Sequence, residues 1–179
     1  MIQFDEYIGR LLDGYRSNYD VEIIEEPTDE LYATAHMHAE TVQNFLFKEF
    51  QMSAADADEY VYVYRVEHLT AEKAQEIIDR TYEDGFPKIK LDHYSFRHQH
   101  MCTRLVALFL CESVDDAALK ILKKCRIYKS FQFSLKGWME MHTAILNLSD
   151  ASVSSNTYGR ETAKYMKKHV SHYLTQTCK

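Results

Sequence analysis

Apolar residues recur along this chain with two periods, and the switching between them predicts the elements. Phe4, Ile8, Leu11, Leu12 and Tyr15 fall at helical spacing and fade near Gly14, which predicts an amphipathic opening helix. Residues 20–25, DVEIIE, predict a short strand, closed by a turn at EEPTDE where Pro27 forbids continuation. From Leu31 the pattern has period two. Ala33, Ala35, Met37 and Ala39 take one face, and Thr34, His36, His38 and Glu40 the other. This favours an extended strand, bent near Gln43, although Val42, Phe45 and Leu46 also suit a helix.

MSAADAD predicts a turn and EYVYVYRVE a strand, with Tyr60, Tyr62 and Tyr64 on one face and Val61, Val63 and Arg65 on the other. Thr70 then caps a helix whose inward stripe is Ala74, Ile77, Ile78 and Tyr82, stopped by Asp84, Gly85 and Pro87. The stretch HYSFRHQHMCTRLVALFLCE, residues 93–112, starts polar and becomes apolar on both faces over 105–111, the mark of a strand internal to a sheet. Ser113 and Asp116 resemble a capping box opening a helix with Val114, Ala117, Ala118, Ile121, Leu122 and Cys125 inward. Residues 128–156 read as strands, with Phe131, Phe133 and Leu135 alternating and turns at Lys136-Gly137 and Ser149-Asp150. A final helix from Gly159 buries Ala163, Met166, Val170, Tyr173 and Leu174.

The resulting order is α-β-β-β-α, a central strand over 95–111, then α-β-β-β-α. It predicts an α+β fold in one domain: a mainly antiparallel sheet of six to seven strands, with four helices mostly on one face. At 179 residues the chain is long enough to bury a substantial core. Its net charge of −6 hides a polarity. Residues 1–84 carry 20 acids against 6 bases, and residues 85–179 carry 7 against 15. Such halves attract each other, a second copy, or an anion, and a homodimer is the expected assembly. No apolar run approaches the ~20 residues of a membrane span. The opening MIQFDEYIGRLLDGYR is acidic and amphipathic rather than signal-like, so the expected address is cytoplasmic. Cys102, Cys111, Cys125 and Cys178 have no CxxC spacing and are expected as free, mostly buried thiols.

The segments ADEYVYVYRVEHLT, KKCRIYKSFQFSLKGWMEMHTAILNLS and VSSNTYGRETAKYMKK resemble a family of small Firmicutes proteins of unknown function. The similarity covers most of residues 31–170, and IYKSFQFSLKGW is its most specific part. The resemblance implies a self-standing bacterial domain and carries over no catalytic residue.

Candidate chemistry starts with histidine placement. His36 with His38, and His98 with His100, are HxH pairs whose period-two spacing puts both imidazoles of a pair on one strand face. Convergence of the two pairs would suit zinc or another divalent metal, with Glu40, Glu140 or His142 as a further ligand, and so a metal-dependent enzyme. No other cofactor is indicated. The second candidate is a ligand-binding face built from Arg97, His98, His100, Arg104, Trp138, Glu140 and His142 beside Tyr60, Tyr62 and Tyr64, for an anionic or aromatic ligand. Lysines on two helices, Lys120, Lys123 and Lys124, then Arg160, Lys164, Lys167 and Lys168, form solvated faces, and no nucleic-acid motif accompanies them. The order over residues 2–111 looks like a PD-(D/E)XK nuclease core, but the strand EYVYVYRVE lacks the E-x-K that would hold its metal. There is no GxSxG, P-loop, GxGxxG or HExxH. The leading expectation is therefore a binding domain for a small ligand or a protein partner.

Overall fold

The computed structural model describes residues 2–25, 30–39, 56–89, 100–134 and 136–177, with 56, 100, 101 and 177 described as backbone only. The elements are α1 (Phe4–Tyr15), β1 (Asp20–Ile23), β2 (Leu31–Ala39), β3 (Asp56–Leu69), α2 (Ala71–Gly85), a 3-10 turn (Phe86–Lys88), β4 (His100–Val114), α3 (Asp116–Lys124), β5 (Tyr128–Ser130), β6 (Trp138–Asn147), β7 (Ser152–Ser155) and α4 (Arg160–Thr177). Among the described residues seven strands form one sheet in the order β1-β2-β3-β4-β6-β5, with β7 also on β6.

The sheet is mixed, which corrects the expected mainly antiparallel arrangement. β1–β2, β2–β3, β5–β6 and β6–β7 are antiparallel, but β3–β4 and β4–β6 are parallel. The physical reason is the crossovers. α2 carries the chain from β3 to β4, and α3 carries it from β4 towards β6, so each strand re-enters the sheet in the same direction. Both crossovers step the same way across the sheet, and right-handed connections then place α2 and α3 on one face. The residues confirm that placement. Ala74, Ile77, Ile78, Ala118 and Leu122 share a core with Tyr62, Tyr64, Leu105, Ala107 and Phe109. The terminal helices α1 and α4 cover the other face, where Tyr7, Leu11, Met166 and Val170 meet Val61, Val63, Val106, Leu108 and Leu110. The helices thus lie two to a face rather than mostly on one.

β4 is internal, as its apolar run requires, with Leu105 to Cys111 fully buried between β3 and β6. The expected lead-in from His93 to Gln99 lies outside the described residues, as do residues 40–50, the turn at 52–55 and Cys178. The Thr70 hydroxyl accepts from the Lys73 amide, capping α2. The Ser113 capping box does not form: β4 continues to Val114, and Asp115 is the residue before α3. Ser113 instead faces His68 across the parallel pair, 2.8 Å from its Nδ1. Phe131 and Phe133 do not alternate on a strand. β5 ends at Ser130, and Gln132, Phe133 and Ser134 have φ of 48, 54 and 67°. Leu174 is 37% exposed rather than buried.

One side chain completes the sheet where no strand does. β5 covers the first residues of β6 and β7 the last, leaving the backbone around Met141 to Thr143 between them. Asn156 fills that gap. Its Oδ1 accepts from the amides of Thr143 (3.2 Å) and Gly159 (2.7 Å), and its Nδ2 donates to the carbonyls of Met141 (2.8 Å) and Cys125 (3.0 Å). The adjoining Gly159 is crowded by backbone: an added Cβ would lie 2.6 Å from the Thr143 carbonyl oxygen.

Cys102, Cys111 and Cys125 are free thiols, the first two buried. Burial pushes the Cys102 and Cys111 thiols up to about 12. Few thiolates then exist at pH 8, and iodoacetamide is expected to leave both unmodified in the native protein. Peptide mapping by mass spectrometry checks this, with urea-unfolded protein as the fully labelled control.

Candidate functional site

The polar residues gather where parallel β3, β4 and β6 begin, at the end opposite the one usual for α/β sites, and they divide between the faces. On the α1/α4 face the register aligns Glu59, Arg104 and Glu140 on three neighbouring central strands. Arg104 Nη1 lies 3.5 Å from Glu59 Oε2, and its Nε lies 3.6 Å from Glu140 Oε1. The Tyr19 hydroxyl donates to Glu59 at 2.9 Å, and His142 Nε2 lies 2.9 Å from Glu140 Oε1. A carboxylate only accepts, so Nε2 is a protonated donor to Glu140. Nδ1 is buried and has no partner. Burial pushes Glu140 up, but the bond and charge of His142 and the Arg104 guanidinium outweigh it and hold the carboxyl below its usual range. Burial likewise opposes the charge of Arg104, yet Glu59 and Glu140 raise its pKa further.

Of the expected ligand-binding set, Arg104, Trp138, Glu140 and His142 therefore do share one face, as alternation on β4 and β6 dictates. Tyr60, Tyr62 and Tyr64 do not join them, because they project from the opposite face of β3. Tyr62 and Tyr64 are core under α2, and only Tyr60 stays half-buried. Arg97, His98 and the His100 side chain lie outside the described residues.

The α2/α3 face is open over β1 and β2. His36 Nε2 and His38 Nδ1 both meet one oxygen of Asp58, at 2.9 and 3.0 Å, and Asp58 is 3% exposed. The shared-face reading of that pair holds, and the carboxylate fixes both rings: each contacting nitrogen must donate. Among the described residues no group of three or more His, Cys, Asp or Glu side chains is arranged to hold a metal ion. The His36 ring stacks flat on its cross-strand neighbour Tyr60, centroids 4.3 Å apart at 5°. Lys88 reaches over from the 3-10 turn. Its Nζ lies 5.8 Å from the Tyr60 ring and 5.2 Å from the Tyr62 ring, 2.6 Å from Asp84 and 3.1 Å from the Tyr62 hydroxyl. His36, Tyr60, Tyr62 and Lys88, together with Asp20, Glu22 and Thr34, line an open groove of about 410 Å³. Its size falls in the roughly 300–1,000 Å³ range of small-molecule sites.

Sequence reasoning passed over Asp58, Glu59, Tyr19 and Lys88. Period two extended backwards from Tyr60 would have put Asp58 with the tyrosines and Glu59 with the valines, a buried-charge signal on each face. Tyr19 and Lys88 carry no such signal, since a turn and a loop bring them in.

A mixed sheet between two helix pairs, with a polar groove and an aligned charge row at one end, defines a three-layer α+β protein. The chain belongs to the family described as domain of unknown function DUF8052, whose model matches residues 3–168. No curated protein and no solved structure matches it. No described helix is long and apolar enough to cross a membrane.

Proposed function

We propose that this chain is a small-ligand-binding domain, working as a homodimer in the bacterial cytoplasm, whose ligand lies in the groove over β1, β2 and β3. The observation that carries the reading is the stacked His36–Tyr60 pair on the floor of an open groove, oriented from below by the buried Asp58. A sheet face that needed only solvation would not hold two imidazoles on one buried carboxylate. The free, buried cysteines fit a reducing compartment. The bacterial source rests on the sequence resemblance.

The groove's charges select the ligand. Asp20 and Glu22 line the groove against a single lysine, Lys88, which Asp84 already pairs from beside the groove at 2.6 Å. The balance is acidic at neutral pH, so a planar ligand bearing a positive charge fits better than the anion expected from the arginines. Its ring would stack beside Tyr60, and its cation would meet Asp20 and Glu22, which are exposed on β1 in register with His36 and Thr34.

Benzamidine is the simplest probe of that chemistry, and benzoate its charge-reversed control. Isothermal titration is expected to show benzamidine binding with Kd on the order of 1 mM, about −4 kcal/mol, and no binding of benzoate. Asp20→Asn with Glu22→Gln should weaken benzamidine at least fivefold. Equal binding of benzoate, or of benzamidine to a His36→Ala/Tyr60→Ala variant, contradicts the assignment.

A further inference from the structure

The two crossover helices pack side by side with opposite charge, yet their facing sides do not pair. α2 carries the acids Glu72, Glu76, Asp79, Glu83 and Asp84, and α3 carries Lys120, Lys123 and Lys124. Among the described residues no ion pair joins the two helices. The acids of α2 find partners closer by: Glu76 meets Lys73 at 3.0 Å, Asp84 meets Lys88 at 2.6 Å, and the Gln75 side-chain amide donates to Asp79 at 2.9 Å. Lys120 and Lys124, one helical turn apart and therefore on one side of α3, stand exposed with no carboxylate partner among the described residues.

Between the helices runs a groove of about 380 Å³, again within the roughly 300–1,000 Å³ of small-molecule sites. Ile78, Ile121, Cys125 and Ile127 give it an apolar floor, and Lys120 and Lys124 line it from α3. Of these apolar residues only Ile78 is fully buried; Ile121, Cys125 and Ile127 pack on the core beneath the helices while keeping part of their surface in the groove. Along α2, Tyr82 and Phe86 continue the Ile78 stripe at helical spacing, but Lys129 already covers them, its Nζ 5.2 and 4.4 Å from the two ring centroids. The open apolar stretch is thus confined to the groove, and the charged side chains that line it are all basic.

From this arrangement we propose that the α2/α3 groove binds a free carboxylate carrying a linear apolar chain, of the medium-chain fatty-acid class. The chain lies along Ile78, Ile121 and Ile127, where each methylene leaves water for an apolar surface. The carboxylate lies between Lys120 and Lys124, whose ammonium groups donate to it as charge-assisted hydrogen bonds. Apolar floor and unpaired cations each act on a different end of one ligand, so both ends are needed for affinity. The groove shares no lining residue with the one over β1, β2 and β3, and its assignment stands whether or not that groove takes a cation.

Isothermal titration of the full chain with decanoate tests it, using butanoate as the short-chain control and decyltrimethylammonium as the charge-reversed one. Decanoate is expected to bind the wild type with Kd on the order of 1 mM, and both controls at least tenfold more weakly. Lys120→Glu with Lys124→Glu, at exposed positions, should weaken decanoate at least tenfold and gain decyltrimethylammonium in exchange, a gain that an unfolded variant would not show. Absence of decanoate binding, or equal binding of either control to the wild type, overturns the site. So does a double variant that keeps decanoate, or that loses it without gaining the cation. The protein should not pellet with phosphatidylglycerol vesicles; pelleting that the double variant abolishes would mean that a lipid surface, rather than a single molecule, meets these lysines.

Discussion

Replacing Asn156 by Ala is expected to destabilise the protein by roughly 3–5 kcal/mol, because four backbone groups lose their partner together. The amides of Thr143 and Gly159 and the carbonyls of Met141 and Cys125 all end on this one side chain, which is 2% exposed. Each buried group left without a partner costs roughly 1–3 kcal/mol, and water entering the gap recovers part of the sum. Asn156→Asp is nearly the same shape and should cost as much. A carboxylate keeps the two accepted bonds but turns both donations to carbonyls into repulsion in a site closed to solvent. Urea unfolding of the three proteins measures the effect. A loss below about 1 kcal/mol for Asp would mean that the carbonyls find other donors.

The second large effect concerns Arg104. Arg104→Met should cost about 3 kcal/mol at pH 7, because Glu59 and Glu140 are then left largely buried on either side of β4 without the cation between them. The triple variant Arg104→Met/Glu59→Gln/Glu140→Gln should regain most of that loss, since the stranded charges are gone. The pH dependence has a definite sign. Glu140 has a folded pKa below its ordinary 4.5, so its contribution is complete above about pH 4.5 and is lost as pH falls through the lower, folded value. In Arg104→Met one cause of that lowering is absent and the carboxyl protonates more readily. The deficit of the variant against wild type should therefore be widest near neutral pH and narrow in acid. A deficit independent of pH between 3 and 7 would contradict the role given to the row.

How much of this was legible in the residues depends on the range of the interaction that fixes each feature. Thr70, the stripe from Ala74 to Ile78 and the apolar run from Leu105 to Cys111 are local signals, and the cap, the helix and the internal strand follow from them. Strand direction is not local. The pattern around β3, α2 and β4 does read as strand, helix, buried strand, which is the signature of a parallel crossover, but the antiparallel signals of the neighbouring hairpins masked it. The Phe131–Phe133 alternation misled because period two describes only where side chains would point if the backbone were extended; Leu135 lies outside the described residues. The left-handed Gln132, Phe133 and Ser134 bend the chain directly after β5 ends at Ser130.

The site divides in the same way. Residues on one strand face could be grouped by parity, so Arg104 with Trp138, Glu140 and His142 could be joined once the register was known, as could His36 with His38. Which strand face met which could not be read, and Arg104 in fact lies behind the sheet from the tyrosines expected beside it. The buried Asp58 and the partly buried Glu59 are consecutive residues on opposite faces, and each anchors one of the two clusters. That single dipeptide joins the two clusters through the backbone of β3.

The groove assignment is tested most directly by mapping amide shifts of isotope-labelled protein during titration with benzamidine. Shifts are expected to cluster at residues 20–22, 34–38, 58–62 and 88, on β1, β2, β3 and the 3-10 turn. Shifts centred instead on 102–104 and 138–142, behind the sheet, or none above the benzoate control, would contradict a ligand site over the His36–Tyr60 pair.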